Sequence, residues 1–344
     1  MRLRAGTTLL VIFLVLAVAA PALACGGLVN PNGTVSLTKT TTLVGYVGGV
    51  EHYVTSFEFA GGGGEFGSIV PLPGIPSKVE RAGDWTLQRL VQEVAPPVAF
   101  AADAGGAESA ATAQKARVIL ETKIDALDIT VLEGGGDEVG RWAKENGFSL
   151  TPDAPEVLDF YAERSPIFMA ARFDASRAAV DGQQVGDGTP VHLTIPTPNP
   201  WVPLRILGLG LGSEARVEAD VFLLTEGIPD MLPASGGGMD LERSEEASSL
   251  LLEDLRSDKN MEWIPAENMW FSYLKIDTTA GELKHDLAID ATGVGDPSPI
   301  AAGLARPLTL PEIENDPTSL IAWLLAIGLG LVALGVSRYA WDRA

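Results

Sequence analysis

Three histidines, one cysteine, a few tryptophans and many scattered carboxylates are the residues this chain has for building a chemical site. A zinc centre needs histidines and carboxylates that converge, and neither His-Glu-x-x-His nor a paired Cys/His spacing occurs. His52, His192 and His285 stand alone in sequence. Strand alternation turns His192 away from Val191, Leu193 and Ile195, toward solvent. It puts His285 on the side of Leu287 and Ile289, as a core residue, and gives His52 a face shared with Ser56 and Glu58. No Gly-x-Ser-x-Gly marks a serine nucleophile. The carboxylates at Glu58 and Glu65, and at Asp125 and Asp128, are the pairings an acidic chain produces by chance.

Asp181 to Gly188 lacks the alternate oxygen ligands and closing glutamate of an EF-hand and reads as a polar turn. The glycine runs 61–64 and 134–136 lack Walker or dinucleotide context and also read as turns. No metal and no cofactor is expected. Among the larger tryptophan positions, Trp142 falls on a helix stripe and reads as core, with Trp263 and Trp270 also more readily core than platform. Trp201, inside the proline-rich loop from Pro196 to Pro203, is the candidate for a ligand groove.

Cys25, the single cysteine, excludes an intramolecular disulfide and lies where the chain begins to read as a domain. Before it come the basic Met1-Arg-Leu-Arg4, an apolar run from Leu9 to Ala20, and Ala22-Leu-Ala24. These are the three parts of a secretory signal, predicting cleavage between Ala24 and Cys25. The same residues form an imperfect lipobox, so Cys25 is either acylated or a free thiol at a mature N-terminus. At the far end Leu320 to Val336 is continuously apolar, and with its flanks gives about 20 residues, near 30 Å of helix. Acidic Glu312, Glu314 and Asp316 precede it and basic Arg338 and Arg343 follow. That asymmetry puts the C-terminus in the cytoplasm and the domain outside.

The chain carries 24 basic and 45 acidic side chains, and losing Arg2 and Arg4 with a leader takes the net charge from -21 to -23. Nucleic acid and anionic lipid surfaces are poor partners for such a protein. Membrane, reached through the C-terminal helix and through an N-terminal lipid if Cys25 is acylated, is the partner that the sequence names; a protein or glycan partner is left unspecified.

The elements that must position any site follow the hydrophobic pattern. Strands are expected between Thr34 and Phe59, over Phe66–Gly74 where the strand ends in a proline-stiffened loop, and from Arg117 to Leu132 as two strands or one with a bulge near Asp125-Ala126. Further strands are expected over Ile167–Phe173, Val191–Ile195, Leu204–Leu209 and Arg216–Leu224, the last with one face buried and one wet. Helices are expected from Asp84 as N-cap to Val94, from Asp137 to Asn146, behind Thr151 or Asp153, and from Asp240 to Arg256. Trp270–Asp277 and His285–Ile289 read as a hairpin. The resulting expectation is an α+β fold, an antiparallel-rich sheet domain with a few packed helices plus one C-terminal transmembrane helix. Its parts are a signal peptide 1–24, an extracytoplasmic domain 25–292 with a linker or insertion at 95–115, a Pro/Gly-rich stalk 293–317, a membrane helix 318–337 and a cytoplasmic tail 338–344.

Several segments in order carry a resemblance: Ala24-Cys-Gly-Gly27, Phe66-Gly-Ser-Ile-Val-Pro-Leu-Pro73 followed by Leu87-Gln-Arg-Leu90, Trp142-Ala-Lys-Glu-Asn-Gly147, Leu158 to Tyr161 running into Phe168 to Phe173, and Pro200-Trp-Val-Pro-Leu-Arg205. Together they resemble a family of uncharacterised exported bacterial proteins, catalogued as a domain of unknown function. The resemblance implies export and an envelope location and brings no activity with it. Members often carry a second cysteine soon after the first; here Leu28-Val29-Asn30 stands in that place. The function expected is structural, adaptor or ligand-binding rather than enzymatic, the rival being an envelope hydrolase with unmarked carboxylate or serine chemistry.

Overall fold

In the computed structural model the described residues are 28–29, 36–60, 66–95, 116–174, 177, 180, 189–234 and 236–307. The expected signal, the segment 96–115, the turns at 61–64 and 181–188, and the membrane helix and tail lie outside them. Among the described residues no helix is long and apolar enough to cross a membrane.

The described chain runs β1 (Leu28–Val29), β2 (Ser36–Val47), β3 (Val50–Ala60), β4 (Phe66–Leu72), β5 (Lys78–Arg81), α1 (Thr86–Val94), β6 (Arg117–Ile124), β7 (Leu127–Glu133), α2 (Gly136–Glu145), α3 (Ala154–Ala162) and β8 (Ile167–Phe173). It continues β9 (Val191–Pro196), β10 (Trp201–Val202), a 3₁₀ turn (Arg205–Gly208), β11 (Arg216–Thr225), β12 (Asp230–Leu232), β13 (Met239–Glu246), α4 (Ser249–Ser257), β14 (Trp270–Thr279) and β15 (Leu287–Asp290). Three sheets result, ordered β1-β4-β8-β7-β6, β10-β15-β12 and β13-β14-β11-β2-β3-β9-β5. Every pairing is antiparallel except β11 with β2.

Side-chain alternation explains the layering. Along β2, Leu43 joins an apolar cluster with Leu87 and Leu90 of α1 and Leu251, Leu252 and Leu255 of α4, while Val44 joins a second cluster with Val131 and Met169 of the five-stranded sheet. Each such side chain removed from water contributes about 1.5–3 kcal/mol, so both faces of the seven-stranded sheet are held. Val139 and Trp142 of α2 and Leu158 and Tyr161 of α3 complete the second cluster. Helices therefore flank both sheets, giving an α-β-β-α order.

The sheet-rich, antiparallel architecture with a few packed helices agrees with the sequence, whereas several elements differ from it. β11 keeps Arg216 and Glu218 on the wet side that alternation marks, but from Ala219 on it is buried on both faces, because α1 and α4 cover the remainder of that side. Its Asp220 is buried and accepts a hydrogen bond from the Tyr273 hydroxyl at 2.8 Å. Leu204–Leu209 forms a 3₁₀ turn instead of a strand. The long helix expected over Asp240–Arg256 is a strand followed by a shorter helix, since β13 gains a ladder with β14 that a helix-rich composition does not reveal. Trp270–Asp277 does not form a hairpin with His285–Ile289: β14 pairs with β11 and β13, and β15 with β10 and β12. The compact unit runs to Arg306, and Ala301 and Ala302, in the stretch expected to open the stalk, are buried within it.

Helix α1 shows how distant residues finish a local element. Asp84 does not cap it. The buried carboxylate of Asp258 accepts hydrogen bonds from the backbone N–H groups of Asp84, Trp85 and Thr86 and from the Thr86 hydroxyl, at 2.8–3.2 Å. An anion at a helix N-terminus satisfies groups the helix cannot satisfy itself. Asp258→Ala is expected to cost about 2–3 kcal/mol in urea unfolding, and a loss below about 0.5 kcal/mol would contradict this cap.

Candidate functional site

An open cleft of about 420 Å³ lies where α2 meets the outer side of the five-stranded sheet. Trp142, on the buried stripe of α2, and Phe148, just beyond that helix, are both 5% exposed and border the cleft on its apolar side as the edge of the core, with ring centroids 5.8 Å apart. Phe148 sits directly on Gly67 of β4, where a Cβ would come within 1.9 Å of its ring. The opposite wall is polar. Cross-strand register aligns Lys123, Asp128 and Arg172 on β6, β7 and β8, and Glu121, Thr130 and Ala170 one step along.

Asp128 organises the charged end. It receives Lys123 at 2.7 Å, Arg177 at 2.9 Å and Arg172 at 3.1 Å. Burial alone would raise its carboxyl, but the hydrogen bonds from these cations outweigh burial and hold it at about 2. Asp128 is therefore a fixed anion that orients cations, and is unsuited to donating a proton near neutrality.

Trp201 takes a different place from the one its loop suggests. It lies in β10, 3% exposed, stacked on Tyr161 with centroids 5.7 Å apart, with the Arg164 guanidinium 5.0 Å from its ring. It is a core residue, because the proline-rich segment is drawn into the three-stranded sheet and pairs with β15. Ala24 and Cys25 lie outside the described residues.

Beside Trp201 is a buried polar hub centred on Asp286, which strand patterning alone does not single out. Its Oδ1 accepts from the Tyr161 hydroxyl and the Leu204 backbone N–H at 2.8 Å and from the Arg205 N–H at 2.9 Å, while Oδ2 faces Arg164 Nη2 at 2.5 Å. Arg164 also donates to the Ala301 carbonyl, tying the segment after β15 to α3. Every contact is internal, so the hub joins elements and offers nothing to a ligand. Glu51 is the second unexpected carboxyl. It is fully buried, its Oε2 accepts from the Trp201 N–H at 3.2 Å, and its Oε1 has no partner. Burial pushes its carboxyl up to about 8, only partly opposed by that backbone hydrogen bond.

The histidines also rearrange. His192 is 2% exposed rather than solvent-facing, because α1, α4 and the loop after α4 cover that side of the seven-stranded sheet. Its Nε2 lies 2.9 Å from His52 Nδ1. His52 is half-exposed and stacks on Trp263 at 3.9 Å. His285 precedes β15 and is half-exposed, with a buried Nδ1 that lacks a partner, so it is not the satisfied core residue its neighbours suggest. Among the described residues no three His, Cys, Asp or Glu side chains converge as a metal site.

The fold and its cleft define a layered, sheet-rich α+β domain with a concave surface over its smaller outer sheet. The chain belongs to a bacterial family described as "Uncharacterized protein conserved in bacteria (DUF2330)", which matches residues 19–224. No curated protein matches it. Among solved structures, the crystal structure of baculovirus P35 is similar over 75% of this chain and 97% of that chain, with a TM-score of 0.40 and 10% sequence identity.

Proposed function

We propose that this protein is a membrane-anchored envelope protein whose extracytoplasmic domain binds a small polar ligand in the cleft between α2 and the five-stranded sheet. The observation that carries the binding role is the cleft itself: aligned Lys123, Asp128 and Arg172 face the apolar core edge at Trp142 and Phe148 across about 420 Å³. A concave site with one apolar wall and a few directed polar groups is the usual form of a small-molecule site. A saccharide fits that chemistry, offering an apolar C–H face and hydroxyls that pair with carboxylate, guanidinium and amide groups. Binding is favoured over hydrolysis because Asp128 is held ionised by three cations, whereas protonating a leaving group requires a carboxyl shifted the other way. Anchoring is supported by the apolar stretch at Leu320 to Val336 with its acidic and basic flanks, and export by the leader ending at Ala24.

Saturation-transfer NMR on the full chain in detergent, with N-acetylglucosamine oligomers as probe, tests the ligand class. Transfer to the sugar is expected, with at least about ten-fold weaker binding in Thr130→Phe, which fills the cleft from β7. Equal transfer to that variant, or no transfer, would overturn the saccharide reading. The address is tested by intact mass spectrometry of chain extracted from bacterial membranes. A mass starting at Cys25 and retaining the C-terminal stretch is expected, with acyl chains or without, and retention of Met1 would overturn the cleaved-signal assignment.

A further inference from the structure

We propose that His52 and His192, directed by Glu80, form a one-way hydrogen-bond relay that presents the unprotonated Nε2 of His52 at the surface, as an acceptor for the hydrogen bond of a hydroxyl-bearing molecule. The relay lies on the helix-covered side of the seven-stranded sheet and is independent of the cleft. Register creates it. Val54, His192 and Glu80 are aligned across β3, β9 and β5, and Gly45, His52 and Thr194 are aligned one step along, which makes the two imidazoles diagonal neighbours on one face.

The contact between the rings is a shared proton rather than a collapsed metal chelate. Their nitrogens are 2.9 Å apart with ring centroids 5.2 Å apart, the separation of two imidazoles meeting nitrogen to nitrogen. Two nitrogens bound to one tetrahedral ion at about 2.0–2.1 Å would stand about 3.3 Å apart, farther than these. Burial lowers the proton affinity of both histidines, His52 to about 3 with help from the neighbouring His192 charge, and His192 to about 4 with help from Lys78. Both rings are therefore neutral at pH 7, and one N–H must lie between them.

Glu80 sets its direction. The Nδ1 of His192 is buried, makes no hydrogen bond, and lies 3.5 Å from Glu80 Oε1, a carboxylate oxygen also 2.7 Å from Lys78 Nζ. A lone pair facing that anion would be repelled, whereas an N–H is attracted, so His192 carries its proton on Nδ1 and accepts at Nε2. His52 must then donate from Nδ1, leaving Nε2 bare. Trp263 fixes the outer ring by stacking on it at 3.9 Å and 3°, an approach that requires Gly45, where a Cβ would come within 2.2 Å of the indole.

No covalent bond to hydrogen breaks along this path: the ligand hydroxyl donates a hydrogen bond to His52 Nε2, the His52 Nδ1–H donates to His192 Nε2, and the His192 Nδ1–H faces Glu80 Oε1 at 3.5 Å. His52 is the accepting residue, and His192 and Glu80 are positioning residues.

With three histidines in the chain, selective ¹⁵N-histidine labelling of the full-length protein in micelles reads the tautomers directly. The expected native spectrum at pH 7 has His52 protonated on Nδ1 and bare on Nε2. An Nε2-protonated His52, or a charged imidazole in the pair, would overturn the relay without any variant. In Glu80→Gln the amide N–H can donate to His192 Nδ1, so the relay is expected to reverse and His52 to become Nε2-protonated; an unchanged tautomer in a folded variant would overturn the directing role of Glu80. With phenol as hydroxyl probe, the His52 Nε2 resonance is expected to move in the native chain and not in Glu80→Gln, and no movement in the native chain would overturn the accepting role.

Discussion

Asp286→Ala is expected to lower the unfolding free energy by about 3–5 kcal/mol, the cost of leaving a buried charge without its partner. Arg164 and Asp286 have side chains 4% and 0% exposed, so solvent cannot take over the lost contact. The same substitution orphans the Tyr161 hydroxyl and the Leu204 and Arg205 N–H groups, which all converge on Oδ1. Urea unfolding followed by tryptophan fluorescence measures it, with Trp201 stacked on Tyr161 as a nearby reporter. Asp286→Asn keeps an oxygen for the three Oδ1 donors and is expected to fall between native and alanine. Pairing Asp286→Ala with Arg164→Met should recover part of the loss, because the second change removes the stranded cation. A loss under about 1 kcal/mol for Asp286→Ala would show that water enters the hub.

The second large effect is a dependence on pH that Glu51 imposes. Its carboxyl titrates near 8 in the folded protein, well above the ordinary 4.5, so between those values the native state holds one more proton than the unfolded chain. The stability contributed is full below about pH 4.5 and is lost as pH rises through 8, because ionisation leaves a buried charge whose Oε1 has no partner. The loss is on the order of 5 kcal/mol by pH 9. In Glu51→Gln the amide oxygen can still accept from the Trp201 N–H, and nothing ionises. Melting temperatures from pH 5 to pH 9 should therefore fall more steeply for the native chain than for the variant; parallel curves would refute a raised Glu51.

How much of this was legible varies element by element. β2, β3, β4, β6, β7 and β8 follow from β-branched and aromatic alternation broken by glycine turns, and α2 and α3 from short apolar stripes with local stops. Asp125, at φ 48, turns the chain between β6 and β7 where the apolar phase shifts. β11 defeats the same rule at its wet face. Whether a helix will cover that face depends on residues some 25 to 130 positions away, and alternation cannot report it. β13 defeats it in the other direction, since a charged segment with helix-forming composition gains a strand partner in β14.

The chemical residues divide along the same line. Trp142 is readable as buried because the stripe of α2 is local. By itself the sequence determines the strong acidity, the two apolar ends with their charge flanks, and the single cysteine that forbids an internal disulfide. Local propensity and composition are properties of neighbouring residues and survive without a fold. Only tertiary structure decides that Trp201 is core, that His52 and His192 share a hydrogen bond across 140 positions, that Asp258 caps a helix 172 residues before it, and that Asp286 gathers donors from two distant segments. Those outcomes rest on sheet register and on which layer covers which face, and both are set by the lowest-energy packing of the whole chain.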